Sequence, residues 1–117
     1  MRRMFSLIAV TVTACATVGS NFNEANVTRL QPGATTLEEA TQILGSRPSQ
    51  TVWHDNRSAT HIWRFVSAGI GGVSENKMVT LIFDANGKLL RAGQLVNVTL
   101  TEEDRRRLGV MSAATLK

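Results

Sequence analysis

Apolar and polar positions alternate with two different periods along this chain, and the change of period divides it into elements. Between Leu37 and Leu44 the stripe Leu37, Ala40, Thr41, Leu44 recurs at helical spacing. Thr36 precedes it as an N-cap and Glu39 sits three residues on, the arrangement of a capping box. Gly45 stops the helix, because glycine adopts the left-handed conformation at little cost, and Pro48 follows. Beyond Pro48 the period falls to two. Gln50 to His54 is a short candidate strand, and Asp55-Asn56-Arg57-Ser58 reads as a turn. Thr60 to Ser67 places His61, Trp63 and Phe65 on one face and Ile62, Arg64 and Val66 on the other. Ala68 to Ser74 is glycine-rich and predicts a mobile loop. Lys77 to Asp84 is the next strand, with Val79, Leu81 and Phe83 on one face. Asp84-Ala85-Asn86-Gly87 predicts a hairpin turn into a last strand from Lys88 to Val98. Thr101 with Asp104 opens a short C-terminal helix. Asn23 to Leu30 supports only one or two helical turns before Pro32-Gly33.

A helix followed by an antiparallel meander predicts an α+β fold, with the helix packed on one face of a three-stranded sheet. That face is Trp63, Phe65, Val79, Leu81 and Phe83. The opposite face carries Ile62, Arg64, Val66, Met78 and Ile82. A small α+β domain keeps one sheet face wet. A second apolar face calls for a cover or a partner, so these five residues are the candidate partner-binding surface. Cover by residues 98–110 or by the N-terminal tether is the alternative.

The first residues change the picture more than the bulk composition does. Met1-Arg2-Arg3 precedes an apolar run from Met4 to Ala14, and Cys15, the single cysteine, follows it. Positive charge, a short apolar run and small residues before a cut are the physical pattern of a secretory signal. The run is too short to cross a bilayer as a helix. Cysteine directly after Val12-Thr13-Ala14 resembles the bacterial lipobox, which implies cleavage before Cys15 and acylation of its sulfur. The predicted organisation is a leader over 1–14, a lipidated tether over 15–26, a domain over 27–100, and a C-terminal helix with a loose tail over 101–117. Without Arg2 and Arg3 the formal net charge of +4 falls to +2. Arg105-Arg106-Arg107 follows Glu102-Glu103-Asp104, so charge cancels locally and no basic stripe for nucleic acid is present in the sequence.

Candidate chemistry is sparse. His54, Asp55 and His61 are metal-ligand types, yet they flank a turn and lack a fourth ligand. Ser58 and Ser67 lie near histidines without a nucleophile elbow. The glycines at 69, 71 and 72 lack the lysine and hydroxyl of a phosphate loop. The expectation is a non-enzyme with no cofactor, no metal, no small-molecule substrate and no nucleic-acid partner.

Leu30-Gln31-Pro32-Gly33-Ala34-Thr35-Thr36-Leu37-Glu38-Glu39-Ala40, followed by Ile43-Leu44-Gly45-Ser46-Arg47-Pro48, resembles the SmpA/OmlA (BamE-like) lipoprotein domain. Trp63-Arg64-Phe65 and Phe83-Asp84-Ala85-Asn86-Gly87 match its aromatic strand and its hairpin. The likeness spans roughly residues 28–92. It departs in a weak first helix, a helix exit one residue longer, and an added C-terminal helix. The resemblance implies two helices on a three-stranded antiparallel sheet. It also implies a lipid-anchored outer-membrane protein facing the periplasm, an accessory of outer-membrane protein assembly and envelope integrity whose partner is an envelope complex such as the β-barrel assembly machinery. Ala16 after the cysteine favours the outer membrane by the same analogy. An inhibitor-like periplasmic binding module, or a lipoprotein of a secretion or conjugation apparatus, is the alternative.

Overall fold

Local capping starts and stops both helices where the sequence predicts. A computed structural model of the chain describes residues 16–69 and 71–110. The Thr36 hydroxyl accepts from the Glu39 amide at 3.2 Å, and the Glu39 carboxylate accepts from the Thr36 amide at 2.9 Å, so the capping box is closed in both directions. Helix α1 (Leu37–Leu44) then ends at Gly45 with φ +87°. Helix α2 (Glu102–Leu108) begins at Thr101, whose hydroxyl accepts from the Asp104 amide, and stops at Gly109 with φ +72°. Glu24–Arg29 forms a 3-10 helix rather than an α-helix, with Asn23 as its N-cap. Its lack of apolar periodicity agrees with this tighter, shorter form.

The strands are β1 (Ala16–Val18), β2 (Gln50–Trp53), β3 (Ala59–Gly69), β4 (Gly72–Phe83) and β5 (Leu89–Val96). All pairings are antiparallel, in the order β1-β3-β4-β5, with β2 also on β3. β1 pairs with residues 66–68 and β2 with residues 59–62, so these two lie end to end along one edge of β3. The fold is α+β as expected. The sheet is four ranks wide rather than three, because β1 and β2 supply an additional one. β2 is exposed along its whole length and so carries no alternation to reveal its pairing.

The glycine-rich stretch also corrects an expectation. Strand pairing continues to Gly69↔Gly72, past a bulge at Ser67/Ala68, so the link is a tight turn and not a seven-residue loop. Gly71 and Gly72 have φ +102° and +112°, which a tight reversal requires and glycine alone adopts freely. The Asp84–Gly87 turn forms as predicted: the Asp84 amide donates to the Lys88 carbonyl, and the Asp84 carboxylate accepts from the amides of Asn86 and Lys88.

The core joins both helices to one face of the sheet. Leu44 and Ala40 of α1, Val27 and Leu30 around the 3-10 helix, and Leu108 of α2 are fully buried with Trp63, Val79, Leu81 and Leu89. Polar joints fix their relative positions. The Trp63 indole donates to the Ser46 carbonyl at 2.8 Å, at the exit of α1. The Gly33 amide donates to the Leu89 carbonyl and the Leu89 amide to the Thr35 carbonyl, which pins the entry of α1 to β5. Arg107 donates to the carbonyls of Leu30 and Thr28, ending the 3-10 helix from α2. The C-terminal helix is therefore built into the domain.

The segment read as a tether over 15–26 is likewise part of the domain from Ala16 onward. Phe22 is buried, and the Asn23 amide donates to the Leu44 carbonyl at 2.8 Å. Phe22 is a lone apolar residue among polar neighbours, so periodicity could not single it out. The leader, Cys15 and the tail over 111–117 lie outside the described residues.

Candidate functional site

Strand alternation turns every second residue of β3 and β4 away from the helices, and register decides which of those residues meet. Arg64 stands opposite Met78, Val66 opposite Asn76, Ile62 opposite Thr80, and Thr60 opposite Ile82. Across the next pair, Met78 faces Val96 and Ile82 faces Arg91. The five predicted surface residues thus share one outer face. Arg64 is exposed, and Ile62, Val66, Met78 and Ile82 are half-buried.

Within that face the structure gathers three of the five. Arg64, Val66 and Met78 line an open depression of about 410 Å³ together with Asn76, Gln94 and Val96. Ile62 and Ile82 lie outside it. Asn76 was legible in principle from the parity of β4. Gln94 and Val96 were not, because bulges in the β4–β5 ladder between Val79 and Leu81 and between Ile82 and Phe83 shift the pairing. The Arg64 Nη2 lies 3.7 Å from Met78 Sδ, so the guanidinium reaches across the rung to β4. Ion pairs among the described residues involve Lys77 and Arg107, not Arg64. α1, the 3-10 helix and α2 bury their apolar residues with the inner-face side chains, so none of these three elements covers the outer face.

The two histidines sit in different surroundings. His54 Nε2 meets Thr60 Oγ1 at 2.7 Å on the exposed side of β2. His61 is buried on the inner face, with Nδ1 2.8 Å from Thr51 Oγ1 and its ring among Trp53, Trp63 and Phe83. Burial pushes its pKa below the usual imidazole value, since the charged ring loses water there. Ser58 is engaged by Asn56, at both its hydroxyl and its amide. No cluster of three or more metal-ligating side chains occurs among the described residues. A cleft of about 350 Å³ beside His61 is lined by Leu37, Glu38, Thr41, Arg47, Pro48 and Thr51.

No family model, curated protein or solved structure matches this chain. The site's meaning therefore rests on its own geometry. The arrangement offers an arginine fork, two amides and apolar side chains on a rigid sheet. Arginine beside apolar residues is a combination enriched where binding energy concentrates.

One further constellation escaped the sequence reading. Lys77 lies on the inner face, with its side chain only 6 % exposed. Its ammonium donates to the Phe22 carbonyl at 2.5 Å and to Glu24 at 2.6 Å, and sits 3.4 Å from Glu75. The Phe22 and Phe65 rings lie 4.8 and 5.8 Å away. The ammonium holds the Glu24 carboxyl below its ordinary pKa through their hydrogen bond. The parity of β4 already placed Lys77 inward, two residues from Val79. What the sequence lacked was the pairing with Phe22 and Glu24, which lie over fifty residues upstream.

Proposed function

We propose that this chain is a non-enzymatic, lipid-anchored outer-membrane protein of the SmpA/OmlA type, and that its outer sheet face docks an envelope protein complex. The open depression around Arg64 and Met78 supports this reading, because it sets an arginine fork among apolar and amide side chains and no helix among the described residues covers it. Acylation of Cys15 confines the domain to a membrane and raises its effective concentration for partners on that membrane. The helices-on-sheet arrangement of the SmpA/OmlA domain is the finer fold that goes with it, and an accessory role in barrel assembly is the corresponding activity.

A second reading has its own observation. Trp53 is 72 % exposed and neighbours Val52 at 40 % on the edge strand β2. A protruding aromatic on an edge suits an inhibitor-like binding module, whose anchor residue enters a pocket of its target.

Arg64→Glu separates the two. The side chain is exposed, so reversal should move the melting midpoint little. Affinity purification of the lipidated protein from native membranes should then lose its envelope partner. Retention of the partner by Arg64→Glu, with loss in Trp53→Ala, would transfer the site to β2. Mass spectrometry of the same preparation reads the anchor: an unmodified thiol at Cys15 within an uncleaved chain defeats it.

A further inference from the structure

We infer that the turn end of the β3–β4 hairpin rests on the bilayer and stands the sheet upright upon it. The inference rests on the acylation of Cys15 proposed above and adds an orientation to it. Most lipid tethers are flexible, and a domain on a flexible tether tumbles above the membrane. This chain gives its anchor almost no slack. Ala16 pairs with Ala68, Thr17 with Ser67 and Val18 with Val66. Gly19 continues the contact: its φ is +76°, and it lies so close to the Arg64 carbonyl that a side chain there would collide with it. Cys15 is one peptide unit from Ala16, about 3.8 Å between Cα atoms. Acyl chains on its sulfur therefore leave the protein beside Ala68, one rung from the Gly69↔Gly72 end of the hairpin.

The hairpin end is chemically fit to lie at a lipid surface. From Phe65 to Ser74 the sequence holds no ionisable side chain, so approach to headgroups strips no charge of its water. The first charge up β4, Glu75, sits 3.4 Å from the Lys77 ammonium, which offsets its repulsion of anionic lipid. Ala68 and Ala59 bracket nine steps of β3, so the Asp84–Gly87 turn at the far end stands about 30 Å above the surface. Arg64 and Met78 then face sideways, parallel to the membrane and about 13 Å above it, four strand residues from Ala68. The partner that suits this height is one seated in the same membrane.

The test uses the full acylated chain in nanodiscs of phosphatidylethanolamine and phosphatidylglycerol, doped with a gadolinium-chelating lipid. Amide resonances of Ala68, Gly69, Gly71 and Gly72 should broaden several-fold more than those of Ala85, Asn86 and Gly87. Equal broadening at both ends, or the reverse order, in a chain shown by mass spectrometry to be acylated overturns the orientation while sparing the anchor. A chain without acyl groups overturns both. Thr17→Pro removes an amide from β1 and should shrink the contrast between the two ends with acylation intact. A contrast unchanged in that variant would show that β1 does not set the orientation.

Discussion

Replacing Lys77 by alanine should destabilise the domain by about 2–4 kcal/mol, and the size follows from what its ammonium holds. The Phe22 carbonyl loses its donor in a buried setting, which costs on the order of 1–3 kcal/mol. The cation's contact with the Phe22 ring adds about 0.5–1 kcal/mol. An orphaned, fully buried charge would cost about 3–5 kcal/mol, but that does not apply here. Glu24 and Glu75 are 37 % and 46 % exposed, so their carboxylates return to water, and each lost pair is worth at most about 1 kcal/mol. All these contacts share one group, so they do not sum. Lys77→Met keeps the stem's volume against Phe22 and Phe65 and should cost about half as much. Glu24→Gln should cost less than about 1 kcal/mol. The Glu24 contribution also has a pH signature. Its folded pKa is depressed, so it stabilises above the unfolded value of 4.5 and is lost as pH falls through the folded one. Urea titration of a soluble form starting at Ala16, followed by tryptophan fluorescence, gives all three values at neutral pH and the Glu24→Gln difference in acid. A loss under about 0.5 kcal/mol for Lys77→Ala, or one matched by Glu24→Gln, would refute the assignment of Lys77 as the clamp on Phe22.

Other outcomes follow from burial and backbone geometry. Leu44→Ala and Phe83→Ala each remove a buried side chain joining helix to sheet and should cost about 2–5 kcal/mol in the same titration. His61 has its folded pKa lowered by burial, so the unfolded chain takes up its proton first. Stability should fall as pH drops below about 6.5, and His61→Phe should flatten that slope in melts between about pH 7 and pH 5. Gly19→Ala combines a left-handed φ with a collision against the Arg64 carbonyl. It should abolish amide protection in the β1–β3 rungs by hydrogen exchange while moving the global midpoint little. Full protection there would contradict the close approach.

What was legible in the sequence is what neighbours in sequence decide. The capping box of Thr36 and Glu39, the left-handed Gly45 and the Asp84–Gly87 turn are short-range arrangements, and each formed as read. Parity along β3 and β4 separated Trp63 and Leu81 from Arg64 and Met78, which was enough to locate the outer face. The misreadings involve distant partners. β2 has no buried side to pattern, and Phe22 is an isolated apolar residue whose burial depends on Lys77 and Leu44. The glycines at 69, 71 and 72 looked like slack, whereas two long strands running into them turn the same freedom into a tight reversal. Gln94 and Val96 join the outer depression only through bulges that no local pattern announces.

The shared rank of β1 and β2 has a consequence for any form of this protein released from its N-terminal segment. Between the two short strands, Ser49 fills the gap: its hydroxyl accepts from the Arg64 amide at 2.9 Å, and its own amide donates to the Ile62 carbonyl at 2.8 Å. The border of β3 is thus sealed in three pieces, and the strand next to Cys15 is the shorter of the two that take part. Proteolytic shedding that removes residues before Asn21 strips that piece away and bares the hydrogen-bonding groups of Val66 to Ala68. Bare strand borders recruit strands from other molecules. The stretch from Ala16 to Val18 is thus also a guard of that border, and trimming it opens the border to strands from other molecules.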